Sequence, residues 1–132
     1  MFLHFGAPWC GWCHRLEDFL ARPEIAAILS PDYLDTKIDI DRMDHGKDVL
    51  ATFRKSEAGG IPWFVILDAR GKPLVTSDGP KGNIGYPGEV HEIEHFLAML
   101  KQTSRKMEPG QLDRIEAALR KARVDLGLDR GR

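Results

Sequence analysis

Cys10 and Cys13 are the only two cysteines of the chain, and both lie in the run Trp9-Cys10-Gly11-Trp12-Cys13. A C-x-x-C pair either cycles between dithiol and disulfide or supplies half of a metal site. A tetrahedral zinc site wants two more ligands at suitable spacing, and no second cysteine pair exists. The pair falls where an apolar strand hands over to a helix, and unpaired amides at a helix start favour thiolate over thiol. Cys10 is therefore expected to be exposed and ionised, attacking a substrate disulfide to form a mixed disulfide. Cys13, one turn on, shares an apolar face with Leu16 and Leu20 and is expected to be the buried thiol that resolves the intermediate. Two other readings stay open: a non-enzymatic binding module, and a metal or iron–sulfur carrier using both sulfurs.

The elements that must hold this pair are legible as patterns. Phe2 to Phe5 reads as a buried strand ended by Gly6 and Pro8, and Cys10 to Ala21 as a helix stopped at Pro23. Glu24 to Leu29 predicts a short second helix, Tyr33 to Ile40 a strand, and His45 to Arg54 a third helix. Trp63 to Leu67 is continuous and apolar, as a central strand should be. Asp68-Ala69-Arg70-Gly71 turns it into the antiparallel strand Pro73 to Thr76. A glycine- and proline-rich loop, Asp78 to Gly88, precedes a helix over Glu89 to Gln102. A final helix is expected from Pro109, carrying Leu112, Ile115 and Leu119, with a fraying tail from Asp125 to Arg132. This order predicts an α/β domain with a mixed central sheet flanked by helices.

Three separated motifs, Phe5-Gly6-Ala7-Pro8-Trp9-Cys10-Gly11-Trp12-Cys13, Lys37-Ile38-Asp39-Ile40-Asp41 and Gly59-Gly60-Ile61-Pro62, occur in this order. Together they resemble the thioredoxin superfamily over about Phe2 to Thr103, and the chain looks most like its members with a Cys-Gly-Trp-Cys centre. The resemblance implies a thioredoxin-like fold lacking the family's first strand and helix, over residues 1–103, with an added C-terminal helical extension over 104–132. It implies a thiol–disulfide oxidoreductase in which Pro62 is cis and packs against the cysteines, and in which Ile61 pairs with substrate backbone. Trp9 matches a tryptophan flanking the family's site, and Trp12 replaces its usual proline or histidine. Trp9, Trp12, Ile61 and Pro62 are thus the expected substrate-binding residues. His4 stands where thioredoxin has a buried acid that helps deprotonate the resolving cysteine. An imidazole is able to do that work; the alternative is a core histidine satisfied by a backbone carbonyl. Lys37 matches the lysine beside that acid, and reads equally as a strand-end lysine reaching solvent.

Other signals are weaker. His91-Glu92-Ile93-Glu94-His95 fits the zinc-protease pattern H-E-x-x-H, but its helix turns an apolar face of Ile93, Phe96, Leu97 and Leu100 toward a core. Asp39, Asp41 and Asp44 depart from calcium-loop spacing. His14 and Arg15 could add positive charge near Cys10 or simply face solvent. The loop Asp78 to Gly88 should stand near Cys10, where Ile84, Tyr86 and Trp12 would make a partner-docking rim; a flexible insertion is the alternative.

With 132 residues, 42% of them hydrophobic, 30% charged and a net charge of −1, the chain fits one globular domain and has no charge excess to attract nucleic acid. No membrane span is expected, and no cofactor is required beyond the cysteines. The expected partners are protein disulfide or dithiol substrates and a further redox protein. The lack of a signal segment points to the cytoplasm. Met1 sits directly on the first strand, however, and lost upstream residues would leave a periplasmic or secreted location open.

Overall fold

The computed structural model describes residues 1–55 and 60–128. Gly59 of the third motif and positions 129–132 of the expected tail lie outside the described residues. Strand β1 (Phe2–Gly6) is buried along its length, as its apolar run requires. Helix α1 (Gly11–Ala21) buries Cys13, Leu16, Phe19 and Leu20 at helical spacing. Pro23 then opens α2 (Pro23–Leu29), where its missing N–H has no intrahelical partner to lose.

Strand β2 (Asp35–Asp39) is shorter than the Tyr33 to Ile40 expected. Tyr33 leaves the strand path because its ring joins the core and its hydroxyl hydrogen-bonds Thr103 at 2.6 Å. The chain continues through α3 (Gly46–Phe53), β3 (Trp63–Leu67) and β4 (Pro73–Thr76). The expected loop holds a small hairpin, β5 (Asp78–Gly79) and β6 (Gly82–Asn83), before α4 (Val90–Thr103) and α5 (Gln111–Asp125). Helix α5 starts after Pro109 because Gly110 takes φ 88° immediately before it, a conformation outside the helical range that glycine accepts freely.

The main sheet has the order β2-β1-β3-β4, with β1 parallel to β2 and the other pairs antiparallel. Alternation along the strands sends side chains to two layers. Phe2, Phe64 and Ile66 pack with Leu16, Phe96 and Leu100, and Ile115 and Leu119 of α5 join that layer. Leu3, Phe5, Trp63 and Val65 pack on the other face against Leu50, Val49 and Phe53 of α3. Each large side chain taken fully from water contributes roughly 1.5–3 kcal/mol. This two-sided burial fixes the C-terminal end of β1, from which the cysteine segment leaves. Among the described residues no helix is long and apolar enough to cross a membrane.

Candidate active site

Cys10 is the N-cap of α1, with extended backbone, and the Cys13 N–H donates to its Sγ at 3.2 Å. The helix start thus directs a backbone donor at the Cys10 sulfur, which suits negative charge there. Cys10 and Cys13 are joined as a disulfide with Cα atoms 5.2 Å apart, the only cysteines among the described residues. The expected contrast in exposure is nearly absent: Cys10 is 6% exposed and Cys13 3%. In the disulfide the two sulfurs shield each other, and the Ile61 carbonyl oxygen stands 3.6 Å from Cys10 Sγ.

Behind the pair, Gly6 allows α1 to approach β1. A Cβ at Gly6 would lie 3.1 Å from the Cys13 Cβ and 3.2 Å from its Sγ. In front, the Ile61–Pro62 bond is cis and Pro62 is buried. Asn83 braces this segment, its amide donating to the carbonyls of Gly60 at 2.9 Å and Pro62 at 3.0 Å. Its Oδ1 accepts from the hydroxyl of fully buried Ser77 at 2.8 Å. Asn83 was not singled out in the sequence; its place in a glycine-rich turn just before the apolar Ile84 was the only signal.

The loop does reach the cysteines, but not as the expected rim. Ile84 and Tyr86 are buried in the main core, so only Trp12 of that trio is exposed. Their apolar surface is worth more under α1 and α4 than in water. Trp12 stacks on Tyr86 with centroids 5.6 Å apart and carries the Arg15 guanidinium over its ring. Trp9 is 70% exposed and its indole N–H donates to Asp41 at 2.6 Å. Asp39 accepts from the N–H groups of Arg42 and Asp41, and these bonds, Arg42's first, hold its carboxyl below the usual range.

His4 is buried, and its Nε2 meets the Asp35 carboxylate at 2.8 Å rather than a backbone carbonyl. It lies on the face of β1 that carries Gly6, hence the face that Cys13 abuts. Lys37, opposite His4 in the ladder, forms an ion pair with Glu17. His14 bonds the Pro8 carbonyl oxygen and Glu17. In the H-E-x-x-H segment, His95 Nε2 meets the Thr76 carbonyl oxygen at 3.0 Å, His91 is exposed, and Glu92 serves the capping box of α4. Among the described residues no group of three or more His, Cys, Asp or Glu side chains is arranged to hold a metal ion.

The solved disulphide isomerase from Xylella fastidiosa Temecula1 superposes on 76% of this chain and 77% of its own, with a TM-score of 0.59 and 25% identity. A solved DsbH oxidoreductase covers 76% of this chain and 71% of its own, with a TM-score of 0.53 and 20% identity. The chain has a thioredoxin-like fold. No family model matches it. Human Spermatogenesis-associated protein 20 is 33% identical over 78 residues, 57% of this thioredoxin-like chain. The chain spans about 10% of the length of that relative. The thioredoxin-like fold and the Cys10–Cys13 pair together support a thiol–disulfide redox role.

Proposed function

We propose that this protein exchanges its Cys10–Cys13 dithiol with disulfides of protein substrates. The observation that carries this reading is Cys10 at the N-cap of α1, its sulfur facing the Cys13 N–H on one side and the Ile61 carbonyl on the other. In the reduced protein the Cys10 thiolate attacks one sulfur of a substrate disulfide and expels the other as a thiolate. Cys13, deprotonated, then attacks the Cys10 sulfur, which re-forms the internal disulfide and releases the second substrate thiolate. Two electrons pass to the substrate, and a further dithiol protein restores the pair. His4 is the proposed acceptor of the Cys13 proton, with Asp35 holding its ring. Trp9, Trp12, Ile61 and Pro62 form the proposed substrate surface around Cys10.

The test is insulin-disulfide reduction by wild type, Cys10→Ser and Cys13→Ser. Cys10→Ser should abolish turnover, and Cys13→Ser should accumulate a covalent adduct on Cys10. Activity that survives Cys10→Ser would sink the mechanism.

A further inference from the structure

His4 is only 5% exposed, yet the Asp35 side chain that it meets at 2.8 Å is 60% exposed. Asp35 also lines an open cavity of about 530 Å³, with Phe2, Leu20, Ala26 and Tyr33 among its walls. Leu20 stands near the C-terminal end of α1, whereas Cys10 caps its start. At the helical rise per residue, the cavity opens roughly 15 Å along α1 from Cys10. A carboxylate only accepts, so Nε2 carries the ring hydrogen and Nδ1 keeps its lone pair. Lys37 stands opposite His4 on β2 and is tied to Glu17 of α1, while β3 places Phe64 opposite His4 on the other side. Asp35 is thus the charged group that the ring itself contacts, and it joins a buried imidazole to open solvent.

The geometry points to Asp35 as the outlet for the proton that Cys13 releases, through a His4 ring that gains a proton on one nitrogen and gives one up on the other. The inference rests on the exchange reading above. In the mixed disulfide the Cys13 proton passes to Nδ1 of His4 as the Cys13 sulfur attacks Cys10 Sγ. The bond from Cys10 to the substrate sulfur breaks, and the substrate leaves as a thiolate with that electron pair. The Nε2 hydrogen then passes by way of Asp35 to solvent in the cavity, and the ring is neutral again. When a dithiol protein reduces the pair, Cys13 departs as a thiolate and recovers the Nδ1 hydrogen. Nε2 takes its replacement from the cavity through Asp35. One proton therefore leaves on oxidation and one enters on reduction, both at the end of α1 remote from a substrate bound at Cys10. Asp35 acts through His4 and is a positioning residue.

The aromatic disulfide dithiobis(nitrobenzoate) separates the steps. Mixed with one equivalent, the reduced protein should release thionitrobenzoate twice, first when Cys10 attacks and again when Cys13 resolves. Asp35→Asn should leave the first release unchanged and slow the second about tenfold, part of the roughly hundredfold that a positioned acid–base group supplies at the lower end. Asp35→Glu should restore most of that rate. Asp35→Ala should also be slow, and formate, small enough to enter the cavity, should restore its second release in proportion to concentration while leaving His4→Gln slow. Asp32→Asn removes an equal charge from the same cavity, where the carboxylate serves the backbone of Arg105 and Lys106, and should change neither release. A second release in Asp35→Asn as fast as in wild type, or formate without effect on Asp35→Ala, overturns the outlet and leaves the exchange reading in place. Slowing of both releases by Asp35→Asn, or equal slowing by Asp32→Asn, overturns it too, as an effect of fold or of charge alone. A wild type that releases no thionitrobenzoate refutes exchange itself, and the outlet with it.

Discussion

Replacing Asn83 with alanine tests how the segment facing Cys10 is held. The side chain accepts from the Ser77 hydroxyl at 2.8 Å and the Gly85 N–H at 3.2 Å, and donates to the carbonyls of Gly60 and Pro62 at 2.9 and 3.0 Å. A net 0.5–1.5 kcal/mol for each bond sets an upper range of roughly 2–6 kcal/mol. Water replaces the exposed Gly60 contact easily, whereas the Ser77 hydroxyl is fully buried and loses its acceptor. The expected loss is therefore about 2–3 kcal/mol, a fall in Tm of roughly 6–15 °C for a domain of this size. Urea unfolding followed by tryptophan fluorescence measures it. Asn83→Asp should cost at least as much, because it sets carboxylate oxygens against two carbonyls. Insulin reduction should slow in both variants, since the Ile61 edge loses its brace. A loss below about 0.5 kcal/mol for Asn83→Ala would refute the bracing role.

Gly6→Ala should cost about 1–3 kcal/mol by crowding Cys13, whereas Gly11→Ala, with nothing within 4 Å, should be neutral or slightly stabilising; calorimetry separates them. Asp41→Ala frees the Trp9 indole, which should cost under about 1 kcal/mol of stability because the bond is exposed. The same variant should raise KM for a protein substrate; an unchanged KM removes Trp9 from the proposed surface. Burial raises Tyr33 and Tyr86 above the ordinary 10.0, a shift partly offset by the Thr103 hydrogen bond for Tyr33 and by Arg15, then Arg22, for Tyr86. The fold favours the neutral phenols, so their contribution is full below pH 10.0 and is lost as pH rises through the raised folded values. Urea unfolding between pH 9 and 11 should thus show stability falling with pH, with a shallower slope in Tyr33→Phe/Tyr86→Phe; equal slopes count against it.

Strands β1 and β3 and helices α1 and α4 were legible because local periodicity and the final burial agree. The redox pair was legible because its residue types and its strand-to-helix setting coincide within a few positions. What escaped depends on contacts distant in sequence. Nothing near Asn83 announces Gly60, which lies 23 residues away. Ile84 and Tyr86 sit among glycines and prolines that read as a surface loop, and only the approach of α1 and α4 gives them a core to enter. The contact of His4 with Asp35 escaped as well, because only the pairing of β2 with β1 brings the two side chains together. Proline in the first turn of a helix is a common start, yet the backbone at Gly110 placed the start of α5 later.

The cysteine segment hangs from β1, which is hydrogen-bonded to β2 on one side and to β3 on the other. Fraying begins at open edges, and β1 has none, so its amides should exchange with solvent only when the whole domain opens. Cys13 packs against this strand at Gly6, and on reduction its thiol should share the strand's protection. Peroxide would therefore meet Cys10 first, and a sulfenic acid formed there has a neighbouring thiol to condense with. The placement that suits Cys13 to the proposed resolving role would also guard the pair against irreversible over-oxidation.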